Sequence, residues 1–234
     1  MDTIIDLNFN FVDLLLVAPL FALFITSLVP LLIKVLRGNT ELQPTAALSW
    51  GLIGVVSAFV LSLSTVNIYK TTAYGAFDGS LIFDGTSFVA TLIVLGVTFF
   101  TLIFSKDAIS TSFDQFSEYI FLVMNAAIGM LLVAWSHDLI VTFIGIEMMS
   151  LCLYILIAMS REGTLSKEAA FKYFILGSFA SAIFLYGVAF IYGSTGSTYI
   201  NDIKPLIQTS LSTNRLMLLG VILTTLGFCF KVSI

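Results

Sequence analysis

The chain has 234 residues, 59% hydrophobic and 10% charged, with a formal net charge of −4 and a mean hydropathy of +1.06. Globular domains carry roughly 25% charged residues, so this composition excludes a soluble protein and leaves an integral membrane protein. No basic patch invites nucleic acid, and Cys152 and Cys229 both sit inside apolar runs, which argues against a disulfide framework or a thiol metal site.

The N-terminus, MDTIIDLNFNFVD, carries Asp2, Asp6 and Asp13 and no Lys or Arg. That is the reverse of a signal peptide's basic leader, so the first apolar run is expected to remain as a span. Apolar runs of about 20 residues, the length that crosses a ~30 Å hydrocarbon layer, lie at roughly 14–36, 46–68, 86–105, 119–136, 139–159, 169–192 and 216–234. The expected fold is all-α: a polytopic transmembrane helix bundle of about seven spans, forming a single transmembrane domain over 1–234. RGNTELQP, YKTTAYGAFDGS and SKDAISTSFDQFSE read as connections, because they hold turn residues and charges. The SHD at 136–138 is short and predicts a tight antiparallel hairpin of spans four and five. KVSI closes the chain within an apolar run, so a fragment truncated inside span seven is expected.

Alternate loops hold Lys34, Arg37, Lys106, Arg161 and Lys167 on one side, against Lys70, Lys204 and Arg215 on the other. With the acidic leader, this bias predicts an outside N-terminus, with the loops after spans one, three and five in the cytoplasm.

Glu147 breaks the pattern, because no other charge lies between Asp138 and Arg161. Eight residues into its helix it is about 12 Å from the nearer end, too deep for so short a side chain to snorkel. An ionised carboxylate at that depth survives only if it is paired, kept neutral or facing water. Ser150 and Tyr154, at +3 and +7, share its helical face. The residue is read either as a protonated cross-link between helices or as a proton or ion relay, and the relay needs a cation.

Two lysines qualify. Lys231 ends a stripe on span seven in which Gly220, Thr224 and Gly227 precede it at helical spacing. Small residues of that kind admit close helix approach or water, whereas a lysine merely snorkelling to the surface is the alternative. Lys172, near the start of span six, is balanced between interfacial anchor and relay. Gly177 with Ser181, and Ser178 with Ala182, read as helix-packing pairs. His137 and Asp138 read as a polar cap of the hairpin, with a role at a proton exit as the other option. Asn125 and Gly129, one turn apart on span four, read either as a polar face or, for the amide, as an interhelical cross-link. No nucleotide, haem or cluster motif is present.

Jointly, the G-x-E-x-x-S-L pattern around Glu147, A-x-K-Y-x-x-x-G around Lys172, L-G-F-x-F-K-x-S at Lys231 and FDG at 83–85 resemble the antiporter-like membrane subunits of proton-pumping NADH:quinone oxidoreductase, respiratory complex I. The resemblance runs along most of the chain. It implies the first part of a 14-helix fold built from two inverted repeats. Glu147 and Lys231 would then be a charge pair across spans five and seven, Lys172 the next station, and Ser150, Tyr154, Thr224 and His137 candidate polar lining. It also implies a bacterial inner-membrane location and other membrane subunits as partners. FMN, iron–sulfur clusters and quinone would sit in partner subunits, with no cofactor in this chain. The alternatives are a subunit of a multi-subunit cation/proton antiporter or membrane-bound hydrogenase, a retinal photoreceptor using Lys231, and a non-transporting scaffold.

Overall fold

The computed structural model describes residues 10–38, 43–70, 72–109, 115–159, 164–210 and 214–232. The chain runs α1 (Phe11–Leu16), α2 (Ala18–Leu36), α3 (Pro44–Tyr69), β1 (Tyr74–Ala76), β2 (Leu81–Phe83), α4 (Gly85–Ile109), α5 (Phe116–Trp135), α6 (Leu139–Met159), α7 (Thr164–Thr195), α8 (Ile200–Ser210) and α9 (Arg215–Val232). Among the described residues six helices, α2 to α7, are long and apolar enough to cross a membrane. The seventh expected span is helical as α9 and packs most extensively on α7. The molecule is a multi-pass, all-α membrane protein.

One predicted span is divided. The run from 14 to 36 breaks at Val17, between α1 and α2. Pro19, in the first turn of α2, has no N–H to donate and its ring is favoured at a helix start, so a new helix begins there. Asp13 on α1 accepts from the Tyr74 hydroxyl at 2.9 Å and from the Phe77 N–H at 3.3 Å, which ties α1 to the segment after α3.

That segment, read from sequence as a loop, is an antiparallel hairpin in which Tyr74 pairs with Phe83 and Ala76 with Leu81. Its turn places Phe77, Asp78 and Gly79 at positive φ, a conformation that costs a non-glycine residue and is held here by the bond from Phe77 to Asp13. Phe83 packs its ring against Trp135 at the end of α5, with centroids 5.0 Å apart. Trp135 donates its indole N–H to Thr91 on α4 at 2.9 Å, so this apolar corner leaves no indole donor unmet.

Asp84 starts α4. It accepts from the Ser87 N–H at 2.7 Å and the Thr86 hydroxyl at 2.6 Å, while Ser87 Oγ takes the Asp84 N–H at 2.8 Å. The Thr86 hydroxyl and then the Ser87 N–H hold the Asp84 carboxyl below the usual carboxylate range. A lowered value means that the stabilisation is complete above the ordinary carboxyl range and is lost as pH falls through the folded value. Asp84→Ala is therefore expected to cost about 1 kcal/mol at neutral pH. Thermal unfolding in detergent should show the gap from wild type closing below about pH 4; a gap that persists in acid would place its origin elsewhere.

Helices α2 to α5 share one core, in which Leu23, Leu95, Leu102, Phe116, Met124 and Leu131 are fully buried. In a membrane such packing is held by close contact rather than by exclusion of water. Asn125 on α5 reaches Ser27 of α2 at 3.5 Å, the cross-link among its two readings. At one rim, Lys34 at the end of α2 pairs with Glu118 at the start of α5 at 2.5 Å. Helix α6 then crosses α5 so closely that a Cβ on Gly129 would sit 2.7 Å from the Gly145 carbonyl. Helices α7 and α9 complete the second group of helices on the far side of α6.

Candidate functional site

The site forms where α6, α7 and α9 meet. Three α6 residues, Glu147, Ser150 and Tyr154, share one helical stripe and turn toward α9. Lys231 Nζ lies 3.0 Å from Glu147 Oε1, 3.2 Å from Ser150 Oγ and 3.4 Å from the Tyr154 hydroxyl. The lysine side chain is 11% exposed and the glutamate side chain 25%. An ammonium has three N–H donors, and here each has an oxygen. The positive charge also lies 5.9 Å from the centroid of the Tyr154 ring. Ser181 on α7 donates to Glu147 Oε1, so the same carboxylate oxygen holds a bond from each of two helices.

The sequence rules place these groups for local reasons. Helical repeat puts positions 147, 150 and 154 on one side of α6. The small residues of α9 let it approach α7, where a Cβ on Gly187 would lie 2.4 Å from the Thr224 nitrogen.

The remaining sequence candidates lie apart from this cluster. Lys172 pairs with Glu168 one turn earlier on α7 at 2.6 Å, with 68% and 58% of the two side chains exposed. Thr224 returns its hydroxyl to the Gly220 carbonyl at 2.8 Å and packs at the α7 crossing. His137 sits in the turn between α5 and α6, where its N–H donates to the Ser80 carbonyl at 2.8 Å and its carbonyl accepts from the Ile200 N–H at 3.0 Å. Its neighbour Asp138 does the capping, accepting from the Ile140 N–H at 2.7 Å and from the Thr198 hydroxyl. Ser181 belongs to the site, although its sequence pattern points only to packing; its helical spacing from Gly177 marks a face of α7 but not what that face meets.

Among the described residues no group of three or more His, Cys, Asp or Glu side chains is arranged to hold a metal. The arrangement suits proton chemistry: an acid, a base and three hydroxyls joined by hydrogen bonds within an apolar helix bundle.

Residues 136–234 match the family described as NADH:quinone oxidoreductase/Mrp antiporter, TM. Over 233 residues the chain is 50% identical to the NADH-quinone oxidoreductase subunit N of Bdellovibrio bacteriovorus, covering 98% of this chain and 46% of the relative. The subunit N of Trichlorobacter lovleyi is 31% identical over 234 residues, 100% of this chain and 47% of that one. The chain thus spans about half the length of the curated relatives it matches. A chain of respiratory complex I from Thermus thermophilus with bound aureothin superposes with a TM-score of 0.71 at 30% identity, covering 92% of this chain and 44% of that one. An archaeal membrane-bound sulfane sulfur reductase shares the fold, with a TM-score of 0.75 at 21% identity over 93% of this chain and 44% of its own. The seating of Lys231 on the α6 stripe thus occurs in a sequence half identical to a named relative, and the chain belongs to the family of antiporter-like membrane subunits that includes NADH-quinone oxidoreductase subunit N.

Proposed function

We propose that the chain carries part of a proton path in a membrane subunit of a proton-pumping NADH:quinone oxidoreductase. The observation that carries this reading is the Glu147–Lys231 pair, held 3.0 Å apart between α6 and α9. Burial penalises either charge alone, and each partner offsets that penalty for the other. A lysine whose carboxylate partner is neutralised or drawn away releases a proton more readily, and one whose partner returns takes a proton up. A charge moving nearby therefore switches the site between holding and releasing. Each pKa unit of such a change is worth about 1.36 kcal/mol.

The redox groups, FMN, iron–sulfur clusters and quinone, belong on this reading to partner subunits, and the other membrane subunits of the complex flank this one. The location is the bacterial inner membrane with the N-terminus outside. In support, Lys34 and Arg37 lie at the end of α2, Lys106 in the last turn of α4 and Lys167 in the first turn of α7, all beside the connections after α2, α4 and α6. Lys172, exposed on α7, is the next station only if a further part of the protein or a partner covers it. His137 lies on the outer side by the same assignment, and Thr224 lines the α7–α9 contact.

The test is NADH-driven proton uptake by inverted membrane vesicles carrying Glu147→Gln in the full-length chain. An amide keeps the shape but cannot cycle a proton, and uptake and quinone reduction are both expected to fall about tenfold or more. Normal rates in both assays would discard the relay. A second reading, a cation/proton antiporter subunit, is favoured by the family description, which spans both complexes. It predicts cation-driven proton exchange that persists without NADH.

A further inference from the structure

The ammonium of Lys231 is fully satisfied when protonated, but the neutral amine has only two N–H groups and a lone pair that needs a donor. An ionised Glu147 carboxylate can only accept. The two hydroxyls around the lysine can do either, because an O–H rotates to suit its neighbour. Ser150 and Tyr154, at 3.2 Å and 3.4 Å, can therefore serve both forms of the lysine whatever the charge on Glu147.

Of these, Tyr154 is held from a second helix. Its hydroxyl sits in a notch on α7 made by Gly177, where an added Cβ would lie 1.9 Å from the phenolic oxygen and 2.8 Å from Cζ. The ring is 7% exposed. Tyr173 packs against it edge-on, with centroids 4.9 Å apart at 82°, and Phe174 does so at 6.1 Å. Making room for a methyl group would therefore mean shifting the Tyr154 ring and repacking these two neighbours against it. Gly177 is one turn from Ser181, which bonds Glu147, so a single face of α7 locates both the acid and the phenol.

We propose that Gly177 is a positioning residue: it seats the Tyr154 hydroxyl, and the seated hydroxyl supports Lys231 in both of its protonation states. The inference rests on the proton-transfer reading above and adds that α7, rather than α6 alone, governs the lysine. Sliding α7 along α6 moves the notch and shifts the hydroxyl relative to the amine.

The test compares Tyr154→Phe, Gly177→Ala, the double variant, Gly193→Ala and Glu147→Gln, each in the full-length chain and its assembled complex in vesicles. Tyr154→Phe removes one oxygen and is expected to lower turnover and proton uptake about tenfold, equal to ~1.4 kcal/mol, with the KM for quinone and the amount of complex unchanged. Gly177→Ala should show the same split, and the double variant should be no worse than the poorer single one, since both act on one hydroxyl. Gly193→Ala, whose added Cβ meets only Leu216 at 3.7 Å, should match wild type. Wild-type turnover in Tyr154→Phe, or additive losses in the double variant, would overturn the proposal. Should Gly177→Ala fail to assemble, Tyr154→Phe alone still decides. If Glu147→Gln is impaired and Tyr154→Phe is not, only this inference falls; if Glu147→Gln is normal as well, the proton-transfer reading falls with it.

Discussion

Lys231→Met is expected to abolish proton uptake by the assembled complex and to reduce quinone turnover at least tenfold. Methionine keeps most of the apolar stem and removes the charge, leaving Ser181 as the remaining donor to Glu147 among the described residues. Stripping one partner from a fully buried pair costs about 3–5 kcal/mol, and less where the carboxylate left behind is 25% exposed, so a partial loss of assembled complex should accompany the loss of activity. The double variant Lys231→Met with Glu147→Gln separates the two effects. With no uncompensated charge left it should recover the amount of complex, measured on native gels, while uptake stays absent. Wild-type uptake in Lys231→Met vesicles would remove the pair from the mechanism. A double variant that assembles no better than the single would show that charge was not what destabilised it.

The second large effect is steric. Gly187→Val should prevent stable accumulation of the chain, because the first added carbon alone would meet the Thr224 nitrogen at 2.4 Å, its hydroxyl at 2.5 Å and the Gly220 carbonyl at 2.8 Å. Two of these are backbone atoms of α9, which can yield only by moving the helix. Helix association in a bilayer depends on such close approach, so pushing α9 off α7 removes the main support of the lysine-bearing helix. Gly96→Ala on α4 is the matched control, since nothing lies within 4 Å of its added Cβ. Immunodetection in membranes should show Gly96→Ala at wild-type level and Gly187→Val strongly depleted. Normal accumulation of Gly187→Val would mean that the α7–α9 contact is dispensable.

The part of the site carried by one helix was legible from sequence. Period 3.6 puts Glu147, Ser150 and Tyr154 on one stripe whatever surrounds them, and the depth of Glu147 demands a partner. That Lys231 meets the stripe also follows from charge economy in an apolar medium, and the structure brings the two together. Ser181 escaped because periodicity names the face of a helix but not its neighbour. Lys172 shows the same limit in reverse, since its place along α7 was readable and its outward direction was not.

In the fold, long apolar runs predict spans well because length and hydropathy alone decide whether a helix can cross. Short polar elements carry no such signal. The hairpin has three residues per strand, and it is tied down by Asp13, 61 residues before Tyr74. Helix α8 contains Pro205 and two charged residues in 11, Asp202 and Lys204, a pattern that reads as a connection. The break at Val17 is not legible in the sequence, because a proline one turn into an apolar run looks like part of the span.

On the proposed proton-transfer reading, one detail of the Glu147 contact gives the pair a way to discharge. Both Lys231 and Ser181 point to Oε1, and among the described residues nothing bonds to Oε2. A proton landing on Oε2 would thus cancel the negative charge while both existing bonds stay in place. The electrostatic grip on the ammonium would then fall without any rotamer change, leaving a readied geometry that recovers as soon as that proton departs.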